Sequence, residues 1–270
     1  ASLGAEVRAL NATVDGHFPG RPSKPTERNL SDLRSFLARG DFDAGLAHDG
    51  DGDRVVLLDG DGEIVQEDTV VAVLAERYVR ASDAADPVVV TTPNASGRID
   101  ERVGDAGGRV ERVRLGALHE GVADVRRAGG TVVFAAEPWK HLHPGFGGWI
   151  DGVASAGALA ALVAREGLDG LRAPVTERPY RKTPVDCPEE RKAAAMERLR
   201  ESLPARLPDG AVSTEYGVRV DFPDGAWVLV RPSGTEPVIR VYAESDSVDD
   251  LLAEAVDAVE AVVERAEGGR

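Results

Sequence analysis

Residues 226–243 read AWVLV-RPSGTEP-VIRVYA, which is a polar loop between two apolar runs. Short apolar runs on both sides of a Pro- and Gly-containing segment predict two buried strands joined by a tight turn. The turn offers hydroxyl groups, free backbone N–H groups and two guanidinium groups, from Arg231, Ser233, Gly234, Thr235 and Arg240. Convergent N–H donors and forked guanidinium groups suit a phosphate monoester, because they give it bidentate, charge-assisted hydrogen bonds. An ordinary Pro/Gly turn explains the stretch equally well when it is taken alone.

A second polar loop, rich in aspartate, lies far upstream. The segment Asp49-Gly-Asp51-Gly-Asp53-Arg54 lies between the apolar runs 44–47 and 55–58. Alternating carboxylates separated by glycine can converge on one hard cation, and oxygen ligands without a nearby cysteine favour Mg²⁺ over Zn²⁺. An EF-hand is excluded, because its sixth position is Arg54 instead of glycine and its twelfth is Gly60 instead of glutamate. An acidic β-turn without a metal is the alternative.

The order and spacing of these two loops resemble those of the α-D-phosphohexomutases, the superfamily of phosphoglucomutase, phosphomannomutase and phosphoglucosamine mutase. The likeness extends to four other places, namely Leu3–Val7, Asp15–Pro25, Glu137 with His141, and Asp151-Gly152. The resemblance implies a Mg²⁺-dependent isomerase of carbohydrate metabolism. Such an enzyme transfers a phosphoryl group between the C1 and C6 oxygens of a sugar phosphate, through a bisphosphate intermediate.

The resemblance also implies a role for each matching residue. The metal ligands are Asp49, Asp51 and Asp53, and the catalytic candidate beside the phosphoryl group is Arg54. The sugar hydroxyls are bound by Glu137 and His141. The substrate phosphate is held by Arg231, Ser233, Gly234, Thr235 and Arg240. Because the two loops are about 180 positions apart, we expect them to lie in different domains that meet at one cleft.

The chain departs from the family pattern in two respects. The family's nucleophile is a phosphoserine in a Thr-Ala-Ser-His-Asn-Pro-like loop, and the printed sequence contains no such segment. We therefore expect an N-terminal truncation that removes the phosphoserine domain, and a chain that binds substrate without turning it over. The motif Glu-x-Ser-Gly-His is replaced by Glu137-Pro-Trp139-Lys140-His141. Loss of a hydroxyl donor leaves the sugar undecided, since specificity depends on such bonds.

Two alternatives to a phosphohexomutase stay open. One is a truncated, non-catalytic protein that binds sugar phosphates or Mg²⁺. The other is a different phosphotransfer enzyme that uses the same carboxylates, such as a phosphopentomutase or a phosphatase. Hydrolase chemistry with a nucleophilic serine and nucleotide binding have no support, because the chain has no G-x-S-x-G, Walker or G-x-G-x-x-G segment.

The histidines near these motifs have more than one interpretation. His141 and His143 are two positions apart in a Pro/Gly-rich region, which predicts a solvated loop pair unless His141 contacts the substrate. A zinc site is disfavoured, because neither cysteine nor a third histidine accompanies them. His48, directly before Asp49, is either a proton shuttle or a packing residue. Lys140 is an additional candidate donor to phosphate or hydroxyl groups.

The composition limits the partners and the compartment. The chain has 47 acidic and 32 basic residues, a net charge of −15, and only four lysines. This balance argues against binding to nucleic acid or to anionic membranes, which requires positive patches. The acidic, Lys-poor and Arg-rich composition resembles that of proteins from halophilic archaea. A single cysteine, Cys187, excludes an internal disulfide and fits a reducing cytoplasm. No membrane span or signal peptide is predicted, and whether the protein is an oligomer is left open.

Alternating strand and helix patterns predict an α/β fold: two mixed-sheet α/β domains, the first incomplete, followed by a smaller α+β C-terminal domain. The predicted domains are residues 1–82 around the aspartate loop, 83–175 for sugar binding and 176–270 for phosphate binding. Pro174–Pro188, with four prolines, is the predicted linker. Helices are predicted at 30–37, 69–80, 99–107, 118–127, 151–165, 189–203 and 248–266. Strands are predicted at 44–47, 55–58, 88–92, 109–113, 131–135, 218–222, 227–230 and 238–243.

Overall fold

A computed structural model describes residues 4–265 of the chain, which divides into two compact units, Ala1–Thr176 and Glu177–Arg270. Both units combine helices with sheets, so the predicted α/β fold class is confirmed. The predictions that involve Leu3 and Ala266 lie outside the described residues. Within residues 4–265, no helix combines the length and the apolar character that crossing a membrane requires.

The first regular elements of the first unit are two short helices followed by a small antiparallel hairpin. A 3₁₀ helix, Glu27–Leu30, and helix α1, Ser31–Leu37, precede strands β1, Ala44–His48, and β2, Val55–Asp59. The alternating apolar residues of the hairpin bury themselves against the helices, in a core of Leu30, Leu37, Ala47, Val56 and Leu58. The Asp-rich segment 49–54 is therefore the loop that joins two anchored strands.

A four-stranded mixed sheet forms the rest of the first unit, in the order β4-β3-β5-β6. Its central strand β3 is parallel to β4 and β5, while β6 is antiparallel to β5. The strands are β3 Pro87–Thr91, β4 Arg109–Arg112, β5 Thr131–Glu137 and β6 Lys140–Leu142. The helices are α2 Glu67–Arg80, α3 Gly97–Asp105, α4 Leu118–Arg127, α5 Gly152–Glu166 and α6 Leu168–Arg172. Every residue of β3 is buried, as expected for an apolar central strand in a layer covered on both faces.

Helix α2 joins the two parts of this unit. Its residues Val71 and Leu74 pack in the same core as Leu57 of β2, Val89 of β3 and Phe134 of β5. The domain boundary predicted at residues 82 and 83 therefore lies within one continuous core. The division of residues 1–175 into two domains stays a prediction.

The second unit is an antiparallel sheet of five strands, in the order β7-β11-β10-β9-β8. The strands are β7 Tyr180–Asp186, β8 Ala211–Ser213, β9 Val218–Asp221, β10 Trp227–Pro232 and β11 Val238–Glu244; the helices are α7 Glu189–Arg206 and α8 Val248–Arg265. Because side chains alternate along a strand, Val228 and Val230 of β10 pack under the helices, whereas Trp227 and Leu229 pack on the opposite face with Tyr242.

The predicted linker Pro174–Pro188 contains the boundary between the two units, at Thr176 and Glu177, but is wrong over Tyr180–Asp186, which form strand β7. This strand lies at the edge of the sheet and pairs with β11, with Pro184 opposite Arg240. An edge strand tolerates proline, since the side of the strand without a neighbour needs no N–H donor. Four further elements had no prediction, namely the 3₁₀ helix Glu27–Leu30, β6, α6 and β8; each has only three to five residues, too few to show a period.

Candidate functional site

The aspartate loop places three carboxylates together at the tip of the β1–β2 hairpin. One oxygen from each of Asp49, Asp51 and Asp53 lies within 4.8 Å of the other two. Gly52 adopts φ +73°, a left-handed conformation that glycine accepts without strain and that lets the loop turn back on itself. Three convergent oxygen donors without nitrogen or sulfur fit a hard divalent cation such as Mg²⁺.

Hydrogen bonds from neighbouring residues hold this loop in shape. His48 Nδ1 lies 2.9 Å from the Arg54 carbonyl oxygen, and because a carbonyl only accepts, Nδ1 carries the proton. Arg54 N donates to Asp49 Oδ1 at 3.1 Å, and Gly50 N donates to Ser23 Oγ at 3.0 Å. His48 therefore closes the base of the loop, which favours a supporting role over a proton shuttle.

The carboxylates of the loop have shifted proton affinities. Burial raises the pKa of Asp49, whose side chain is only 6% exposed, and the neighbouring Asp53 and Asp51 raise it further. Burial alone would raise the pKa of Asp53 as well, but hydrogen bonds from Lys140 and Asp49 and the charges of Lys140 and Arg54 lower it. Of this pair, Asp49 therefore takes up a proton first. A cation among the carboxylates would oppose that uptake.

The β5–β6 turn, residues 137–140, lies directly against the aspartate loop. Val55 N donates to the Trp139 carbonyl at 3.1 Å, and Arg54 and Lys140 form a bridge between the two segments. Lys140 Nζ makes an ion pair with Asp53, and Glu137 Oε1 accepts a hydrogen bond from Gly116 N at 2.5 Å. One charged cluster thus contains Lys140, Asp53 and Arg54. Glu137 lies opposite Lys140 in the register of β5 and β6.

Trp139 occupies the position where the family motif has a serine. It adopts φ +63°, and its indole packs against the hydrophobic core of the β1–β2 hairpin. The indole N–H has no acceptor among the described residues. The side chain at this position therefore packs against the β1–β2 hairpin and offers no hydroxyl group.

His141 does not join this cluster. It is 1% exposed and follows Lys140 on β6, so the alternation of the strand directs it to the opposite face. Its Nδ1 lies 3.0 Å from Ser155 Oγ, which also lies 2.8 Å from Nε2 of the buried His143. The expectation of a solvated loop pair is wrong, because both rings are in the core. The geometry gives no support to the predicted contact between His141 and substrate.

The start of helix α5 touches the backbone of the aspartate loop. Gly152 N donates to the Gly52 carbonyl at 3.1 Å, and a Cβ at Gly152 would lie 2.6 Å from the Arg54 carbonyl oxygen. Only glycine permits this approach. Asp151 caps the helix by accepting from Ala154 N at 2.8 Å, a bond that lowers the pKa of its carboxyl group.

The second unit holds the five residues predicted to bind phosphate. They lie in and beside the hairpin loop between β10 and β11, and Arg231 and Arg240 are register partners. Both guanidinium groups therefore lie on the same face of the sheet, away from α7 and α8. Arg231 Nη2 donates to Tyr242 Oη at 2.8 Å, while Arg240 Nη2 contacts Glu236 Oε2 at 2.5 Å, which raises the pKa of Arg240. Ser233 is buried, whereas Gly234 and Thr235 are exposed at the tip of the loop.

One residue at this loop was not singled out from the sequence. Lys192, in the first turn of α7, donates from Nζ to the carbonyl oxygens of Ser233 at 2.6 Å and Glu236 at 2.7 Å. The sequence indicates this role only weakly, because it shows no more than a lysine at the N-terminal end of a predicted helix, in a chain with only four lysines.

Two family models match the chain. The model of the phosphoglucomutase/phosphomannomutase alpha/beta/alpha domain II matches residues 1–62, and that of the phosphoglucomutase/phosphomannomutase C-terminal domain matches residues 183–262. Together they cover more than half of the chain. The first contains the aspartate loop and the second contains the β10–β11 hairpin.

Curated relatives match over nearly the whole chain. A phosphopentomutase from Thermococcus kodakarensis is 40% identical over 98% of the chain and 59% of its own length. A probable phosphoglucosamine mutase from Methanopyrus kandleri is 39% identical over 97% of the chain and 58% of its own length. The chain thus spans a little under three fifths of the length of these relatives.

Solved structures have the same fold. A phosphoglucomutase/phosphomannomutase family protein from Burkholderia thailandensis superposes with a TM-score of 0.79 at 25% identity, over 99% of the chain and 57% of that protein. N-acetylphosphoglucosamine mutase from Aspergillus fumigatus, solved with GlcNAc-6P and magnesium, gives a TM-score of 0.55 at 15% identity, over 84% of the chain and 52% of that protein. At 15% identity the second likeness concerns the fold alone. With the family models and the curated relatives, these matches show that the chain belongs to the phosphoglucomutase/phosphomannomutase family, within the α-D-phosphohexomutase superfamily.

Proposed function

We propose that the chain is the metal- and phosphate-binding part of a sugar-phosphate mutase, which interconverts a sugar 1-phosphate and a sugar 6-phosphate through a bisphosphate. The observation that carries this proposal is the convergence of three carboxylates at the tip of the β1–β2 hairpin, beside Arg54 and Lys140. The family models and the names of the curated relatives support a mutase over a hydrolase.

In this proposal, Asp49, Asp51 and Asp53 hold Mg²⁺, which when bound neutralises negative charge on the transferring phosphoryl group. Arg54 is held in place by its Nε, 3.3 Å from Asp49 Oδ2 and 3.7 Å from Asp53 Oδ1. Within residues 4–265 its terminal Nη atoms donate no hydrogen bond, so they can donate to phosphoryl oxygens. Lys140 adds a second positive charge, so that negative charge developing during transfer meets two cations of the protein.

The β10–β11 hairpin holds the phosphate that is not reacting. Arg231 and Arg240 lie on one face of the sheet, and their forked guanidinium groups match the oxygens of a phosphate monoester. Holding the substrate by a phosphate instead of by its ring allows either end of a bisphosphate to occupy this loop in turn. Fixed positioning of this kind supplies much of the rate in phosphoryl transfer.

The sugar is the open part of the proposal. A phosphopentomutase is the second candidate, favoured by the 40% identity to the Thermococcus enzyme. Assays of the chain combined with the phosphoserine domain of a family member, on the 1-phosphates of glucosamine, glucose, mannose and ribose, decide between them. The strongest turnover with a hexose supports the first candidate, and turnover with ribose 1-phosphate alone supports the second. We expect the 270-residue chain by itself to bind these ligands without turnover, and robust turnover by it would contradict this.

Mg²⁺ should stabilise the folded chain through the aspartate loop. A hundredfold excess of Mg²⁺ over its dissociation constant should raise the free energy of unfolding by about 2.7 kcal/mol. Asp51→Asn should abolish this gain without disturbing the fold, because Asp51 is exposed. The matched control is Asp61→Asn, in the exposed turn after β2. Thermal unfolding with and without Mg²⁺ measures the effect; an unchanged Mg²⁺ shift in Asp51→Asn would place the ion elsewhere.

Gly152→Ala should weaken Mg²⁺ binding without removing a carboxylate. Its Cβ would lie 2.6 Å from the Arg54 carbonyl and 2.8 Å from that of Gly52, so the loop must shift. Overpacking of this kind costs about 1–3 kcal/mol, and we expect the Mg²⁺ dissociation constant to rise about tenfold. Gly148→Ala is the control, since a Cβ there meets nothing within 4 Å. Calorimetric titration with Mg²⁺ compares them, and equal constants in both variants would show that the loop tolerates the shift.

A further inference from the structure

Lys192 is buried beneath the β10–β11 hairpin, and all three N–H donors of its ammonium group are in use. The residue is 4% exposed, and Nζ contacts three oxygens: Ser233 O at 2.6 Å, Glu236 O at 2.7 Å and Glu189 Oε2 at 2.5 Å. Lysine is rarely buried, and a positive charge in the first turn of a helix opposes the helix dipole. Two of the three bonds that this placement provides end on the backbone of one loop.

These bonds decide which way the peptide groups of the loop face. The chain has no cis peptide bond among its described residues, and in a trans peptide the C=O and N–H groups point in opposite directions. Because the Ser233 carbonyl faces Lys192, the N–H of Gly234 faces away from it. Cys187 N donates to the Pro237 carbonyl at 2.9 Å, which draws a third carbonyl of the loop toward the start of α7.

The outward side of the loop is open. Gly234 is exposed, a Cβ there would meet nothing within 4 Å, and within residues 4–265 no group accepts a hydrogen bond from its N–H. An exposed backbone donor without an acceptor, in the loop that Arg231 and Arg240 flank, suits a phosphate oxygen.

We propose that Lys192 is a positioning residue for phosphate recognition: it holds the Ser233 and Glu236 carbonyls inward so that the Gly234 N–H donates to the phosphate of the substrate. The inference rests on the proposed function of the hairpin as a phosphate site. Lys192 itself does not touch the ligand, and its effect passes through the orientation of the loop.

The test compares Lys192→Met with Lys182→Met in the full chain, by calorimetric titration with glucose 6-phosphate. Both variants remove one lysine charge from the second unit, but Lys182 is exposed on β7. Lys192→Met should weaken glucose 6-phosphate binding about tenfold or more, because the loss of an oriented, charge-assisted contact has that effect. Lys182→Met should bind like the wild type, and Lys192→Arg, which keeps charge and donors, should recover most of the affinity.

A purely structural role predicts a different pattern. Lys192→Met would then have a lower melting temperature but, at a temperature where it is fully folded, wild-type affinity; this result overturns the proposal. If Lys192→Met does not fold, Lys192→Gln replaces it, because its amide still donates to one of the two carbonyls. Wild-type affinity in folded Lys192→Gln would equally overturn the proposal, and a severalfold loss supports it.

The same titrations separate this inference from the proposed function. If the wild type binds glucose 6-phosphate no better than glucose, both fail. If the wild type binds, Arg231→Ala does not, and Lys192→Met binds normally, then the phosphate site stands and only the role of Lys192 is refuted. Mg²⁺ titrations on each variant should give unchanged affinity, since the aspartate loop belongs to the other unit.

Discussion

Replacing Arg231 with alanine should weaken the binding of a hexose 6-phosphate about ten- to a hundredfold while leaving Mg²⁺ affinity nearly unchanged. The guanidinium group is already oriented, because Nη2 donates to Tyr242 Oη at 2.8 Å and the group lies 5.4 Å from the centre of the tyrosine ring. It therefore loses little conformational freedom when it binds an anion. The loss of one charge-assisted hydrogen bond costs about 1.5–3 kcal/mol of binding free energy. This cost corresponds to a loss of affinity of about ten- to a hundredfold.

The geometry of the guanidinium group matters beyond its charge. Arg231→Lys should recover only part of the affinity, since an ammonium group cannot make two parallel bonds to a phosphate. Arg200→Ala, on the outer side of α7, removes an arginine from the same unit without touching the hairpin and serves as the control. Calorimetry with glucose 6-phosphate measures all four proteins. Equal affinities of Arg231→Ala and the wild type for glucose 6-phosphate would show that Arg231 does not bind phosphate and that the hairpin is only a structural turn.

The parts of the fold that were predicted correctly are those in which local sequence determines local structure. The apolar runs on both sides of the aspartate loop and of the β10–β11 loop form the expected strands, because each run is long enough to show its burial pattern. Both motifs accordingly lie in hairpin loops. Residues of one hairpin loop are close in space because they are close in sequence. The candidate ligands Asp49 and Asp53, and the pair Arg231 and Arg240, could therefore be predicted from the sequence.

The features that were missed depend on contacts between distant segments. Pro184 argued for a linker, yet its strand pairs at the edge of the sheet, where the missing N–H causes no loss. The core position of His141 depends on the register of β6, a strand of three residues whose partner lies across a turn. Lys192 donates a hydrogen bond to the carbonyl of Ser233, 41 positions away, and no local sequence pattern predicts such a bond. Tertiary packing decided all three.

Acid should destabilise the chain through the buried histidine His141. Burial and, to a smaller extent, the neighbouring His143 together lower the pKa of His141 from its ordinary value of 6.5 to about 3. The folded state therefore keeps His141 neutral, while the unfolded chain takes up a proton below pH 6.5. The resulting stability is complete above about pH 6.5 and is lost as the pH falls toward 3, by about 1.4 kcal/mol per unit and by about 4–5 kcal/mol in all.

The surroundings of His141 explain why protonation is unfavourable. The Ser155 hydroxyl donates to the Asp151 carbonyl at 2.9 Å, so its oxygen accepts from both His141 Nδ1 and His143 Nε2. The Tyr78 hydroxyl then donates to His143 Nδ1 at 2.7 Å, which leaves both rings neutral. Burial lowers the pKa of His143 too, although the charge of Asp151 opposes this.

Between pH 6.5 and pH 5 this effect is distinct from that of carboxylates whose pKa is lowered in the folded state. Glu76, for example, has its pKa lowered from 4.5, since its ion pairs with Arg102 and Arg80 outweigh its burial; it therefore destabilises only below that range. The raised pKa of Asp49 acts in the opposite direction, because its uptake of a proton favours the folded state. Urea unfolding at pH 6.5 and pH 5 should thus differ by about 2 kcal/mol from His141 alone. His141→Phe, which keeps an aromatic ring beside Phe134, should lose that difference, whereas His119→Gln on the exposed face of α4 should retain it. If His141→Phe and the wild type lose the same stability between these two pH values, the buried ring is not the group that titrates, and His143 becomes the one to replace.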